Sequence, residues 1–415
     1  MGRTFVGIGF GPIQSGLFLL EAHASKNFER LVVAEVVPET VAAVQNSGGR
    51  FRVNVAKSDG IESHEVTGVE IYNPLDCAGA DELIEAIATA DEIATALPSV
   101  DFYRRGKPSP AELLARGMER KFSKPALPQT VVYAAENHNH AAEILRNAVT
   151  QTMESTRQPT LDNRVEFVNT VIGKMSGVVT DPRQIVDDGL VPLVADGTQA
   201  VLVEEFNRIL ISHVQLPGFQ RGIEVFQEKA ELLPFEEAKL FGHNAAHALL
   251  GYLAHRAGLT FVHESRSTSL LEFVEAAFLV ESGGALRHRY GGIDPLFSAE
   301  GWAAYVHDLL KRMVNPYLKD RVDRIIRDPR RKLGWDDRLT GTMRRAIESK
   351  IAPRRFAAGA AAAAQLMLVD HSQQSLATLL NDIWQVSAAD PVEREAVLEF
   401  IRGAADQAHG LSGTR

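Results

Sequence analysis

The segment from Phe5 to Leu17, FVGIGFGPIQSGL, constrains this chain more than any other. An apolar strand runs into Gly9-Phe10-Gly11, a helix follows from Pro12 and Ile13, and Gly16 lies one turn on. Glycine reaches positive φ at no steric cost and lets backbone approach a ligand closely. Between a strand and a helix N-terminus such a turn suits a pyrophosphate, because unpaired amides and the helix dipole favour an anion there. A purely structural turn would read the same, so its neighbours matter. Glu35 ends the second apolar strand, LVVAEV, about 24 residues after Gly11. A carboxylate at that point accepts hydrogen bonds from adenosine ribose hydroxyls and repels a 2′-phosphate, which favours NAD over NADP. The alternative is a solvated carboxylate at a strand end. Gln14 stands where such turns often carry a third glycine.

The rest of the first half alternates strands and helices. Strands are expected at Thr4 to Gly9, Leu31 to Val36, Val66 to Tyr72, Asp91 to Leu97 and Thr130 to Ala135. Helices are expected at Pro12 to His23, Glu39 to Asn46, Ala80 to Ala88, Ser109 to Phe122 and Asn139 to Met153. This pattern argues for a parallel sheet covered on both faces. From Val165 to about His213 the chain is β-rich (VEFVN, SGVVT, LVPLV, AVLVEE, RILIS), and after Pro234 nearly everything is helical. The reading is an α/β dinucleotide-binding domain over 1–205 and a mostly α-helical substrate-binding and catalytic domain over 206–415, with a polar tail from Gly403 that frays.

Composition narrows the function. With 415 residues, 45% of them hydrophobic, there is material for two real cores. A net charge of -9 with no basic face argues against nucleic acid. Cys77 is the only cysteine, so no internal disulfide or thiolate cluster can form, and a reducing cytoplasm is the natural setting. The apolar start from Thr4 to Leu20 imitates an export signal, but its glycines, Pro12, Gln14 and Ser15 interrupt it. The Ala-rich run from Phe356 to Val369 is too short to span a membrane.

Chemistry gathers in Glu237-Ala-Lys239-Leu-Phe-Gly-His243-Asn244-Ala-Ala-His247. On an α-helix, Lys239, Asn244 and His247 fall within an arc of roughly 140°. A lysine desolvated in a cleft loses proton affinity and can act as a general base near neutral pH. Asn244 can hydrogen-bond a developing alkoxide, and His247 can orient a substrate hydroxyl or carbonyl. A solvated lysine and an internally satisfied histidine on an amphipathic helix are the bland alternative. His243 and His247 are spaced i, i+4, but the Glu of H-E-x-x-H is missing and no metal is expected.

At this helix the sequence resembles the polyol-specific long-chain dehydrogenases, the mannitol dehydrogenase family. The family's lysine, asparagine and histidine are matched by Lys239, Asn244 and His247. A second match runs from Asn315-Pro-Tyr-Leu-Lys-Asp320 through Val322-Asp-Arg324 and Asp328-Pro-Arg-Arg-Lys-Leu333 to Asp337-Arg-Leu339. With Glu281-Ser-Gly and Arg289-Tyr-Gly291, this run is most similar to the mannitol-1-phosphate branch. The resemblance implies a Rossmann-type domain in which Gly9, Phe10, Gly11, Thr95, Ala96, Glu136 and Asn137 contact NAD. It further implies metal-independent interconversion of a secondary alcohol of a polyol or sugar phosphate with its ketose, of the mannitol 1-phosphate and fructose 6-phosphate type. Lys239 would be the acid-base, with Asn169 and Asn244 on the reacting oxygen and His247 holding the substrate. Family members are monomers or homodimers.

The sequence departs from the family at Gln14-Ser15, at Val171-Ile-Gly-Lys174 and in the His-rich stretch after Asn137. A phosphorylated substrate needs basic residues, for which Lys174, Arg289, Lys319, Arg324 and Arg331 are candidates. Two other readings keep the fold. One uses bound NAD transiently for elimination or epimerisation of a sugar or nucleoside; the other is a non-catalytic NAD-binding sensor.

Overall fold

β-branched and aromatic runs build the first part of the chain. The strands are β1 (Thr4–Ile8), β2 (Arg30–Ala34), β3 (Phe51–Ala56), β4 (Ile61–Val66), β5 (Val69–Tyr72), β6 (Glu92–Thr95), β7 (Thr130–Ala134), β8 (Val165–Ile172), β9 (Ser176–Val179), β10 (Ala200–Glu204), β11 (Ile209–Ser212) and β12 (Phe226–Lys229). This computed structural model describes residues 2–153, 158–195, 197–369, 374–385, 387 and 390–412. Two units form, Met1–Leu233 and Pro234–Arg415.

In the first unit β5, β2, β1, β6, β7 and β8 lie side by side and parallel, the strand order of a dinucleotide-binding sheet. Successive residues of the inner strands feed opposite cores. Phe5, Leu31 and Val33 enter one, and Val6, Ile8 and Val32 the other. That is why these strands read as unbroken apolar runs. Helices Pro38–Asn46, Cys77–Thr89, Pro110–Phe122 and Ala141–Thr152 accompany the sheet. Ser109 and Glu112 form a reciprocal capping box at the third of them.

Several expectations need correction. The junction lies at Leu233/Pro234, not at 205/206, because β11 pairs antiparallel with β8 and β12 extends the same sheet. The run from Val66 to Tyr72 is not one strand: Gly68, at φ +72°, separates the end of β4 from β5. The LVPLV stretch forms no strand, since the Asn54 carboxamide takes both the N–H and the C=O of Val191 at 2.8 Å. Asn54 belongs to a four-stranded sheet, β4-β3-β10-β9, whose β3–β4 hairpin the sequence reading passed over.

The helix after the Gly-rich turn is wound as a π-helix over Gln14–Leu19 before continuing as α-helix over Leu20–Ser25. Gln14 is fully buried, and neither atom of its carboxamide has a partner among the described residues. Its side chain lies against Gly7 of β1, where a Cβ would come within 2.3 Å of Nε2. The close helix–strand approach normally granted by a third glycine in the turn is granted here by a glycine in the strand.

The second unit is helical. Leu233–Glu237 leads into a π-wound stretch, Ala238–Asn244, and then into α-helix Ala245–Arg256. A second long helix repeats the device, with Ser269–Ala276, a π-wound Ala277–Ser282 and Gly283–Tyr290. Ala299–Met313, Thr340–Glu348 and Arg354–Leu368 pack around a core containing Trp302 and Phe278, whose rings meet edge-on at 5.7 Å. The tail expected to fray is helical as far as Ser412, and its last three residues lie outside the described ones. No helix among the described residues is long and apolar enough to cross a membrane.

Candidate active site

In the first unit the strand order reverses between β1 and β6, and the carboxyl ends of these strands carry the Gly-rich turn and Thr95-Ala96. Gly9 has φ +87°, and a Cβ there would lie 3.0 Å from the Ala96 carbonyl oxygen. Only glycine fits. A Cβ on Gly11 would meet nothing, so the turn is open on that side. Ile13 and Pro12 begin the helix that follows. The carboxylate of Glu35 spans this turn: Oε2 accepts the Phe10 N–H at 2.9 Å, and Oε1 accepts the Val37 N–H at 2.8 Å. The Phe10 amide is thus already committed, and its ring is buried edge-on against Phe51.

Glu136 is placed differently from a residue that faces a ligand. It is 3% exposed and accepts hydrogen bonds from Thr95 Oγ1, the Leu97 N–H and the Tyr103 hydroxyl. Burial raises its pKa, against those donors. Thr95 is also fully buried, whereas Ala96 is partly exposed and Asn137 exposed. Glu136 therefore braces the loop after β6 from within. Val36, Val37 and Leu75, exposed at 54%, 45% and 52%, follow the adjacent strands β2 and β5 and are available to a flat apolar ring. The two valines directly after Glu35 were the overlooked signal. Open glycines, a carboxylate at the end of β2 and this apolar pair suit a dinucleotide. Asn169, on β8, is 9% exposed. Its Oδ1 accepts the Ala142 N–H and its Nδ2 donates to Glu143, both at 2.8 Å, which fixes the amide and leaves one Nδ2 hydrogen over.

In the second unit the π winding places Lys239, His243 and Asn244 in one stretch, so angles calculated for an α-helix do not hold there. Such winding leaves main-chain oxygens in need of donors. Phe241 O receives Ser282 Oγ at 2.7 Å and Thr342 Oγ1 at 3.2 Å. Lys239 is half-buried, and desolvation, with the Arg338 charge, pulls its pKa down to about 8 while Glu236 opposes them. His243 is buried, and burial first, then Arg312, His247, Lys239 and Arg338, push its pKa well below the ordinary histidine value. His247 Nε2 lies 2.9 Å from Asp320 Oδ2, so the two motifs of this unit meet at that bond.

Most of the basic candidates are spent elsewhere. Lys174 is buried and donates to the carbonyls of Glu204 and Phe206. Arg324 holds Asp320, Arg331 holds Asp328, and Arg289 lies 3.5 Å from Glu237. Arg312 and Arg338, which the sequence reading did not select, are the arginines whose charge bears on His243, and Arg338 also acts on Lys239.

Residues 3–224 match the model of the mannitol dehydrogenase Rossmann domain, and residues 231–399 that of the mannitol dehydrogenase C-terminal domain. The chain belongs to the mannitol dehydrogenase family. It is accordingly an oxidoreductase. Among solved structures, mannitol 2-dehydrogenase from Pseudomonas fluorescens, in a ternary complex with NAD and D-mannitol, is similar at 17% identity and a TM-score of 0.72. That match covers 100% of this chain and 95% of the other. A substrate-free D-sorbitol dehydrogenase is similar at 13% identity and a TM-score of 0.74, covering 98% of this chain and 94% of its own. Both likenesses concern the fold.

Proposed function

We propose that this mannitol dehydrogenase family member is an NAD-dependent polyol oxidoreductase acting on a sugar phosphate pair of the mannitol 1-phosphate and fructose 6-phosphate type. The observation that carries the reading is Lys239, half-buried with its pKa lowered to about 8, in one π-wound stretch with Asn244. Gly9, Gly11, Ile13, Glu35, Ala96 and Asn137 would hold NAD, which when bound supplies the hydride acceptor. Lys239 takes the proton of the substrate hydroxyl as its neutral amine and returns it as ammonium in the reverse direction. Asn244 and Asn169 donate to the oxygen as its charge develops. None of these steps calls for a metal. Arg312 and Arg338, although they pair with Asp308 at 3.4 Å and Asp337 at 2.8 Å, would supply the positive charge for an anionic substituent. A cytoplasmic setting rests on the single cysteine.

The test is a panel of polyols, polyol phosphates and the matching ketoses, followed by NADH absorbance. Stoichiometric NADH with the phosphates supports the proposal. Turnover without net NADH favours transient oxidation, and preference for free polyols moves the substrate to the unphosphorylated branch.

Glu35→Ala is expected to raise KM for NAD about tenfold, by losing a charge-assisted hydrogen bond, and to relax discrimination against NADP. The ratio of kcat/KM for the two cofactors checks this, and an unchanged ratio removes Glu35 from the adenosine side. Ser282→Ala should let the π turn relax and shift Lys239 against Asn244. Turnover should fall on the order of 100-fold for about 1 kcal/mol of stability. A lower thermal midpoint with unchanged kcat would separate the winding from catalysis.

A further inference from the structure

His247 makes one hydrogen bond among the described residues, from Nε2 to Asp320 Oδ2 at 2.9 Å, and its side chain is 18% exposed. The side chain of Asp320 is 4% exposed, and its other oxygen receives Arg324 Nε at 2.9 Å and Nη2 at 2.6 Å. The backbone is fixed as well. The Val262 N–H donates to Asp320 O at 2.9 Å, and Phe261 bridges to Arg321 on the next residue. Burial alone would raise the Asp320 pKa, but the hydrogen bond from His247 and the hydrogen bonds and fixed charge of Arg324 hold it below the usual carboxylate value. An ionised carboxylate can only accept. The proton on the His247 ring must therefore sit on Nε2.

We propose that Asp320 is a positioning residue that locks His247 as a donor at Nε2, so that the Nδ1 lone pair accepts a hydrogen bond from a substrate hydroxyl on the carbon next to the one oxidised. This rests on the polyol reading, in which the carbon next to the one oxidised bears a hydroxyl, and adds the residue that orients the group receiving it. With Nε2 donating to Asp320, the ring offers a hydroxyl a single acceptor at Nδ1, and a wrong tautomer would present N–H against O–H. Nothing in the bond requires turnover, so it is present in the resting protein.

Two measurements test it. Nitrogen-15 NMR of histidine-labelled protein, without substrate and at the assay pH, should show His247 as the Nε2–H tautomer. An Nδ1–H ring or a doubly protonated one overturns the proposal. The second compares kcat/KM for a polyol and for its analogue with the neighbouring hydroxyl replaced by hydrogen. The wild type should prefer the polyol at least about tenfold. Asp320→Asn should bring that preference toward unity, lowering kcat for the polyol on the order of 10- to 100-fold and changing the deoxy analogue little. Equal losses on both substrates would mean that Asp320 only staples two segments together, and the proposal falls. Arg324→Lys keeps a cation on Asp320 and the His247 bond in place and should retain the preference. Should Asp320→Asn not fold, the wild-type tautomer decides alone. A wild-type protein inert toward every polyol overturns the dehydrogenase reading and the hydroxyl contact with it, whereas a wrong tautomer in an active enzyme overturns only the role of Asp320.

Discussion

Lys239→Ala should lower turnover by roughly 10³-fold, the scale of a lost general base, while NAD binding followed by fluorescence changes little. The separation is expected because Lys239 lies on the helical unit and the Gly-rich turn on the other. Lys239→Arg should fare no better, since a guanidinium keeps the charge but does not release a proton near neutral pH. The wild-type pH dependence carries the same signature. With a pKa near 8, the neutral amine that oxidation needs is scarce at pH 6 and dominant at pH 9. Alcohol oxidation should therefore rise through pH 8 and level off, while ketone reduction, which needs the ammonium, should decline over the same window. Activity of Lys239→Ala at the wild-type level, or profiles with the opposite slopes, would remove Lys239 from the mechanism.

The largest loss of stability is expected at Glu281. This carboxylate is 1% exposed and receives the Arg355 N–H at 2.9 Å and the Phe356 N–H at 3.0 Å. It therefore caps the start of helix Arg354–Leu368, on whose first turn no side chain of the helix's own N-cap serves. Arg355 also pairs with it at 3.4 Å. Glu281→Ala would strand two main-chain donors at once, costing about 2–4 kcal/mol, while the Arg355 side chain, 37% exposed, turns its guanidinium to water. Urea unfolding of the variant measures this. A loss under about 1 kcal/mol would mean that water reaches the helix start as readily as the carboxylate does.

What could be seen in the chain beforehand followed the strength of local signals. The Gly-rich turn, the runs around Val32 and Val132, and the Lys239 segment carry their pattern within a dozen residues and were legible, and Glu35 follows from the end of the run around Val32. The partnership of His247 with Asp320 spans 73 positions and was not. Glu136 entered through the family resemblance, and no local pattern told that Thr95, Leu97 and Tyr103 claim its oxygens from inside. Glu281 counted as a family mark, yet its use is to cap a helix 73 residues downstream, at Arg354. The β3–β4 hairpin escaped because β4, IESHEV, is mostly polar and exposed, with little apolar alternation to mark it. The junction was placed too early because β11 and β12 follow a β-rich stretch that local pattern cannot assign to one sheet or another.

The exchange between Gly7 and Gln14 has a consequence for how sequences of this fold can drift. A side chain at position 7 alone collides with the Gln14 amide, and a glycine at position 14 alone leaves a hole beside β1. Each single step is uphill, and the paired step, Gly7→Ala with Gln14→Gly, returns one side-chain carbon for the five heavy atoms it removes. A change at either position thus calls for further substitutions around β1 before the interior is filled again.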